Sequence, residues 1–180
     1  MDYVKNINQS ELLKNIFIVF LGTIALAISA KIKIPFYPVP MTMQTFVVLL
    51  IGIVLGWKMG SATVALYLFE GIIGLPVFSG TPEKGLGFIY FTGPTMGYLL
   101  GFLIAVIFAG LFRYDNFFKN FIKLTFATSF IYVLGILWLG ILIGWDKPLF
   151  KIGAQPFLLA ELIKILLATF AIKIIKEIKS

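Results

Sequence analysis

The sequence predicts an all-α integral membrane protein with six transmembrane helices, and three observations support this class. Of its 180 residues, 60% are hydrophobic and only 13% are charged, whereas an average soluble domain carries about 25% charged residues. The mean hydropathy is +1.02. Apolar runs alternate along the chain with segments rich in proline, glycine and lysine, as expected for spans joined by surface loops. We therefore expect one transmembrane domain over residues 1–180.

Six spans are expected from the positions of these apolar runs. We place a tight turn between the second and third spans at residues 57–59, where a tryptophan and a lysine interrupt the run. Thr92 is a plausible N-cap of the fourth span, with Pro94 in its first turn. Residues 113–123 are basic and aromatic and are expected to form a surface turn before the fifth span. The expected spans are 12–30, 45–56, 60–76, 92–112, 124–143 and 156–173.

The basic residues predict the orientation in the bilayer. The formal net charge is +7, but the lysines are scattered between apolar runs, which favours a lipid bilayer over nucleic acid as the partner. Nine basic residues fall on the side of the termini and five on the opposite side, which predicts cytoplasmic termini and three long loops outside. The nine are Lys5, Lys14, Lys58, Arg113, Lys119, Lys123, Lys173, Lys176 and Lys179; the five are Lys31, Lys33, Lys84, Lys147 and Lys151.

The residue types disfavour an enzyme and a metal site. The chain has no cysteine and no histidine, so thiolate ligands, cysteine nucleophiles and the commonest general base are absent. Away from the ends of the expected spans only Glu70, Glu161 and Lys164 carry a charge, too few for a catalytic set. The role of Glu70, near the end of the third span, stays open between snorkelling, protonation and a place in a cavity. We expect no cofactor and no metal.

Glu161 and Lys164 are the candidate functional pair. They lie three residues apart near the start of the sixth span, so their side chains leave the same face of the helix. Each charge in hydrocarbon costs about 2.5–3.5 kcal/mol, so this face is expected to look into protein, water or ligand. One interpretation is an ion pair that braces the bundle. The other is a polar anchor of a ligand pocket, which intramembrane charges favour by default.

Two segments and two rows of small residues complete the pattern. The proline-rich loop over 31–44 and the turn-rich loop over 74–87 are expected to cover a site at the outer face, toward which Glu161 and Tyr98 point. Small residues recur every four positions from Gly93 in the fourth span, so this face meets a backbone or a flat ligand. In the first span, Ala25 and Ser29 belong to a similar row, for packing within the bundle or for docking a partner protein.

Three segments carry a recognisable pattern: Ile-Pro-Phe-Tyr-Pro-Val-Pro-Met-Thr-Met-Gln-Thr at 34–45, Gly-Ile-Ile-Gly-Leu-Pro-Val-Phe at 71–78 and Gly-Pro-Thr-Met-Gly-Tyr-Leu-Leu-Gly-Phe at 93–102. Together they resemble the BioY family, the biotin-specific substrate-binding (S) components of energy-coupling-factor (ECF) transporters. The resemblance implies the ECF S-component fold, a biotin pocket near the outer surface and a prokaryotic plasma membrane. It also implies a module of one coupling transmembrane protein and two ABC ATPases, and this chain has no nucleotide-binding loop of its own.

The resemblance assigns roles to single residues. Glu161 and Lys164 match the Asp-x-x-Lys pattern of the family's last helix with a longer acid, and they are expected to bind biotin. Which of them meets the ureido ring and which the valerate carboxylate stays open. Met96 stands where the family pattern has glycine, and Glu70 where a small or apolar residue is expected. Further expected contacts are the hydrogen-bonding residues Gln44, Thr95 and Tyr98 and the apolar walls Phe36, Phe78 and Tyr90.

Two alternatives to a biotin-binding S component remain at this point. The protein could be an S component for another vitamin, or a membrane protein outside transport whose Glu161–Lys164 pair is structural. The sequence also leaves open whether the chain acts alone, as a homo-oligomer or only with the coupling module, for which Ala25 and Ser29 are the candidate docking residues.

Overall fold

The computed structural model describes residues 9–35 and 37–179, and this part of the chain is mostly α-helical. Three of its helices, the first, second and fifth, are long and apolar enough to cross a membrane, and the fourth is a shorter apolar helix. The elements are α1 Gln9–Lys31, β1 Lys33–Ile34, β2 Met41–Thr42, α2 Gln44–Ile72, α3 Gly87–Phe91, α4 Met96–Leu111, α5 Phe117–Ile143, α6 Leu149–Gly153, a 3-10 turn Gln155–Phe157 and α7 Leu158–Lys179.

Helix α2 folds back on itself at Gly56. This residue has φ 74° and ψ 175°, a conformation open almost only to glycine. The Gln44 amide nitrogen and the Tyr67 hydroxyl lie 2.7 Å apart, although a straight helix would separate residues so far apart in sequence by about 34 Å. The two halves are therefore two antiparallel segments. With α1, α4, α5 and α7 they make six long helical segments, which confirms the predicted all-α membrane fold.

Several predicted boundaries are corrected. The reversal lies at Gly56 rather than at 57–59, because only the glycine accepts the required φ. Helix α4 begins at Met96, since Thr92 ends the preceding short helix α3 and bonds back to the Phe88 carbonyl. Helix α5 begins at Phe117, seven residues before the predicted span at 124, because the Asn116 side chain caps it by accepting from the Lys119 amide.

The row of small residues on α4 packs against backbone. A Cβ on Gly97 would lie 2.3 Å from the Leu134 carbonyl oxygen of α5, and one on Gly101 would lie 2.5 Å from the Ile131 Cα. On the other side of α4, a Cβ on Gly52 would lie 2.8 Å from the Val106 carbonyl oxygen. Helix α4 is thus the centre of the bundle, and its glycines serve helix packing rather than a flat ligand.

Helix α1 resolves two predictions about single residues. The Ser29 side chain is buried inside the bundle and donates to the Leu26 carbonyl, so Ser29 offers no docking surface to a partner protein. At this position the row of small residues serves packing within the bundle. Ala25 is exposed. Glu70, whose role was open, is largely buried against α1, where the Thr23 hydroxyl donates to its Oε1 at 3.0 Å.

Two connections close one end of the bundle. The strands β1 and β2 pair antiparallel, so the proline-rich segment between them forms a hairpin, and Phe36 in that segment lies outside the described residues. The connection from α2 to α3 is fixed by two lysines: Lys31 donates to the carbonyls of Phe78 and Thr81 at 2.9 and 2.8 Å, and Lys33 donates to that of Ser79 at 2.6 Å. Both connections therefore form a fixed cap.

Candidate functional site

A cleft opens beneath this cap, between the β-hairpin, the α2–α3 connection and helices α4, α5 and α7. The cleft and the open space at its mouth together occupy about 540 Å³. All predicted site residues that the structure describes line it: Gln44, Phe78, Tyr90, Thr95, Tyr98, Glu161 and Lys164. The remaining lining is mainly apolar or aromatic, as is typical of a site for a largely hydrophobic ligand.

Glu161 and Lys164 form a buried ion pair in the cleft wall. Their side chains retain 5% and 7% exposure, and Lys164 Nζ lies 3.3 Å from Glu161 Oε2. Lys164 also donates to the Thr45 hydroxyl at 3.0 Å, and the Tyr132 hydroxyl donates to Glu161 Oε2 at 2.5 Å. The charged groups are thus held by three helices, α2, α5 and α7.

The other carboxylate oxygen of Glu161 is unsatisfied. Oε1 is buried and has no hydrogen-bond partner among the residues that the structure describes. Leaving a buried charged acceptor unpaired is costly, and the cost is avoided when a ligand donates to it. An ion pair that served only to brace the bundle would be expected to satisfy both oxygens. A ligand anchor would account for the unpaired oxygen of Glu161.

A second polar group lines the cleft on the cap side. The hydroxyls of Ser79 and Tyr90 lie 3.3 Å apart, and the Gly80 amide donates to the Tyr90 hydroxyl at 2.9 Å. Phe78 stacks on the Tyr90 ring with centroids 5.5 Å apart, which makes the predicted aromatic wall. One hydroxyl hydrogen of the Ser79–Tyr90 pair remains available to an acceptor.

The side chains of Tyr98 and Gln44 already make most of their possible hydrogen bonds to other groups of the protein. The Tyr98 hydroxyl donates to the Gly153 carbonyl at 2.7 Å, so only its lone pairs remain for a ligand. The Gln44 amide donates to Tyr67, and its oxygen accepts from the Thr42 hydroxyl at 3.3 Å. Both residues line the cleft chiefly as fixed surfaces rather than as free donors.

Sequence reasoning missed four polar residues of the site: Thr42, Thr45, Ser79 and Tyr132. Thr45 and Ser79 each follow directly after a predicted site residue, so the neighbouring motifs carried a signal for them. Tyr132 lies in a long apolar run that has no charged residue, and only the packing of α5 on α7 brings it to Glu161. Among the described residues, no cluster of three potential acidic metal ligands exists.

A six-helix membrane bundle with a capped, mainly apolar cleft and one buried ion pair defines a membrane-embedded small-molecule binding protein. The model of the BioY family matches residues 4–180, so the chain belongs to the BioY family. It is 35% identical to the probable biotin transporter BioY of Pyrococcus horikoshii over 84% of this chain and 89% of that protein. It is 34% identical to the biotin transporter BioY of Thermotoga maritima over 87% of this chain and 92% of that protein.

A solved structure shares the fold. The crystal structure at 2.1 Å of the S-component for biotin from an ECF-type ABC transporter superposes with a TM-score of 0.79. The alignment covers 95% of both chains at 25% sequence identity. The resemblance seen in the three sequence motifs is therefore confirmed, and so is the ECF S-component fold.

Proposed function

We propose that this protein is the biotin-binding S component of a vitamin importer. It captures biotin at the outer face of the membrane and delivers it inward together with an ATP-driven ECF module. The observation that carries the proposal is the buried Glu161–Lys164 pair in the wall of a capped cleft of a BioY-family chain, with Glu161 Oε1 unpaired among the described residues. The names of its relatives, which are biotin transporters, support the choice of ligand.

The chemistry of biotin matches the two polar ends of the cleft. Its ureido ring offers two N–H donors and a carbonyl acceptor, so one N–H donates to Glu161 Oε1 while a free N–H of Lys164 binds the ureido oxygen. The bicyclic head then lies among the aromatic and aliphatic walls. The valerate carboxylate points toward the cap, where the Ser79–Tyr90 hydroxyl pair supplies a donor and Lys33 lies behind the Ser79 carbonyl.

A vitamin panel tests this proposal. The purified protein in detergent is titrated calorimetrically with biotin, thiamine and riboflavin. We expect one-to-one binding of biotin alone, because thiamine has no ureido group and the pyrimidinedione ring of riboflavin has a single N–H between two carbonyls. Tight binding of another vitamin would assign a different S component, and no heat with any of the three in folded protein would contradict a vitamin-binding role.

The hydrogen bonds by which lysines hold the cap are expected to control the rate at which ligand dissociates. Replacing Lys33 by methionine removes a charge-assisted hydrogen bond to the Ser79 carbonyl, which is worth about 1.5–3 kcal/mol, and loosens the α2–α3 connection. We expect biotin to dissociate about tenfold faster, as measured by chase of radiolabelled biotin. Lys84→Met, an exposed lysine of the same connection, is the matched control. Equal dissociation rates for Lys33→Met and wild type would show that this hydrogen bond does not hold the cap over the ligand.

Transport requires partner subunits in this proposal. The sequence has no nucleotide-binding loop, so ATP hydrolysis belongs to two ABC ATPases acting through one coupling transmembrane protein. The excess of basic residues on the side of the termini supports cytoplasmic termini in a prokaryotic plasma membrane. The exposed Ala25 of α1 remains the candidate docking residue, since its small side chain permits close approach of a partner helix.

A large side chain at position 25 is expected to uncouple transport from binding. Ala25→Trp keeps biotin affinity within about twofold, because the residue lies outside the cleft, but abolishes ATP-driven uptake in vesicles that contain the reconstituted complex. Ala65→Trp, at another exposed alanine on α2, is the control and should retain uptake. Normal uptake by the Ala25→Trp protein would place the docking surface elsewhere.

A further inference from the structure

Tyr132 of α5 makes a single, specific contact with the ligand anchor. Its hydroxyl donates to Glu161 Oε2 at 2.5 Å, the same oxygen that receives Lys164 Nζ at 3.3 Å. The ring is fixed by two aromatic neighbours, edge-on to Tyr98 with centroids 6.1 Å apart and tilted against Phe157 at 6.3 Å. These two ring contacts therefore hold the phenol in one orientation, in which its hydroxyl donates to Glu161.

Both donors act on one carboxylate oxygen, and this makes the anchor asymmetric. The terminal torsion of a glutamate is broad, so an unrestrained carboxylate can turn and exchange its two oxygens. Here Oε2 is held by the phenol and the ammonium, while Oε1 is left as a bare, buried acceptor. Tyr132 thus determines the direction in which the unpaired Oε1 of Glu161 points.

We propose that Tyr132 is a positioning residue that makes the site selective for a ligand with a ring N–H at Glu161 Oε1. This inference rests on the proposed biotin-binding function. A fixed, desolvated carboxylate oxygen accepts from an N–H but repels an oxygen lone pair at the same place. Without the phenol, Glu161 can turn toward Lys164 with both oxygens, and the repulsion is relieved. Tyr132 therefore controls discrimination between ligands more than the total affinity.

The discrimination is measured with ligands that differ by one atom group. The probes are biotin and two regioisomeric cyclic-carbamate analogues, in each of which one ureido N–H is replaced by ring oxygen without a change in shape. Their dissociation constants are compared for wild type, Tyr132→Phe and Tyr98→Phe. The Tyr98 variant is the matched control, because it also removes a buried phenol in the cleft, but one that donates to the Gly153 carbonyl instead of Glu161.

We expect wild type to bind one of the two analogues about a hundredfold or more weakly than biotin, as sites built around a buried polar partner do. Tyr132→Phe should reduce that preference at least tenfold, whereas Tyr98→Phe should keep the preference even if its affinity falls. Tyr132→Leu removes the same hydroxyl and is measured in the same way if the phenylalanine variant does not purify as a folded protein.

Two results would overturn the inference. An unchanged preference in Tyr132→Phe would mean that the phenol does not position Glu161, and an equal loss of affinity for biotin and analogue would make the residue a packing element only. Equal binding of both analogues and biotin by wild type would mean that Oε1 does not receive a ring N–H. Absence of biotin binding by folded wild-type protein is a different result, since it contradicts the proposed function itself.

Discussion

Biotin affinity is expected to fall about a hundredfold or more when Glu161 is replaced by alanine. The substitution removes a charge-assisted hydrogen bond worth about 1.5–3 kcal/mol from the ligand. It also leaves the buried ammonium of Lys164 without its carboxylate, with only the Thr45 hydroxyl as an acceptor. Glu161→Gln keeps the size and an acceptor oxygen but loses the charge, so its affinity should lie between those of wild type and Glu161→Ala. Calorimetric titration with biotin gives both values.

The control for this prediction is a second buried acid of the bundle. Glu70 accepts from Thr23 on the far side of α2 and does not line the cleft, so Glu70→Gln should keep biotin affinity within about threefold. Thermal unfolding in detergent separates lost binding from lost folding. Normal biotin affinity in a folded Glu161→Ala protein would show that the pair only braces the bundle.

Replacing Gly97 by valine is expected to disrupt the bundle. Its Cβ would lie 2.3 Å from the Leu134 carbonyl oxygen and 2.5 Å from the Trp138 Cβ, so α4 and α5 must move apart along their tightest contact. Overpacking typically costs about 1–3 kcal/mol, and a clash with backbone belongs at or above the upper end. We expect failure to purify as a folded protein or a large fall in the thermal unfolding midpoint, by about 10 °C or more.

A partly exposed position on the same helix provides the comparison. Leu100 of α4 is 36% exposed, so Leu100→Val introduces the same β-branched residue without a backbone clash. Its unfolding midpoint should stay within a few degrees of the wild-type value. If Gly97→Val unfolds at the wild-type temperature, the close approach of α4 and α5 described above is wrong.

The sequence predicted the class of fold because long apolar runs and few charges leave little choice of environment. The boundaries that were predicted wrongly lie where neighbouring residues carry competing signals for a turn or a helix end. Gly56 and residues 57–59 both carry turn signals, and only the backbone conformation shows that the glycine supplies the reversal. Thr92 has the composition of a helix start, but the short helix α3 before it makes it a helix end.

The site was predictable where one element carries the chemistry. Glu161 and Lys164 share a face by helical spacing, and the structure forms the ion pair that this spacing permits. Tyr132 meets Glu161 only through the packing of α5 on α7, 29 residues apart in sequence, so no local pattern indicates it. Ser29 was wrongly predicted to be a docking residue. A small residue suits both a protein interface and an internal contact, and its buried position shows that Ser29 makes the internal contact.

A structure of the protein with biotin bound tests the central claim most directly. We predict the ureido ring beside the buried ion pair, with one ring nitrogen about 3 Å from Glu161 Oε1 and the ureido oxygen within hydrogen-bond distance of Lys164 Nζ. The valerate carboxylate should then lie near Ser79 beneath the cap. Biotin bound with its carboxylate on Lys164, or bound outside the cleft with Oε1 still unpaired, would contradict this account.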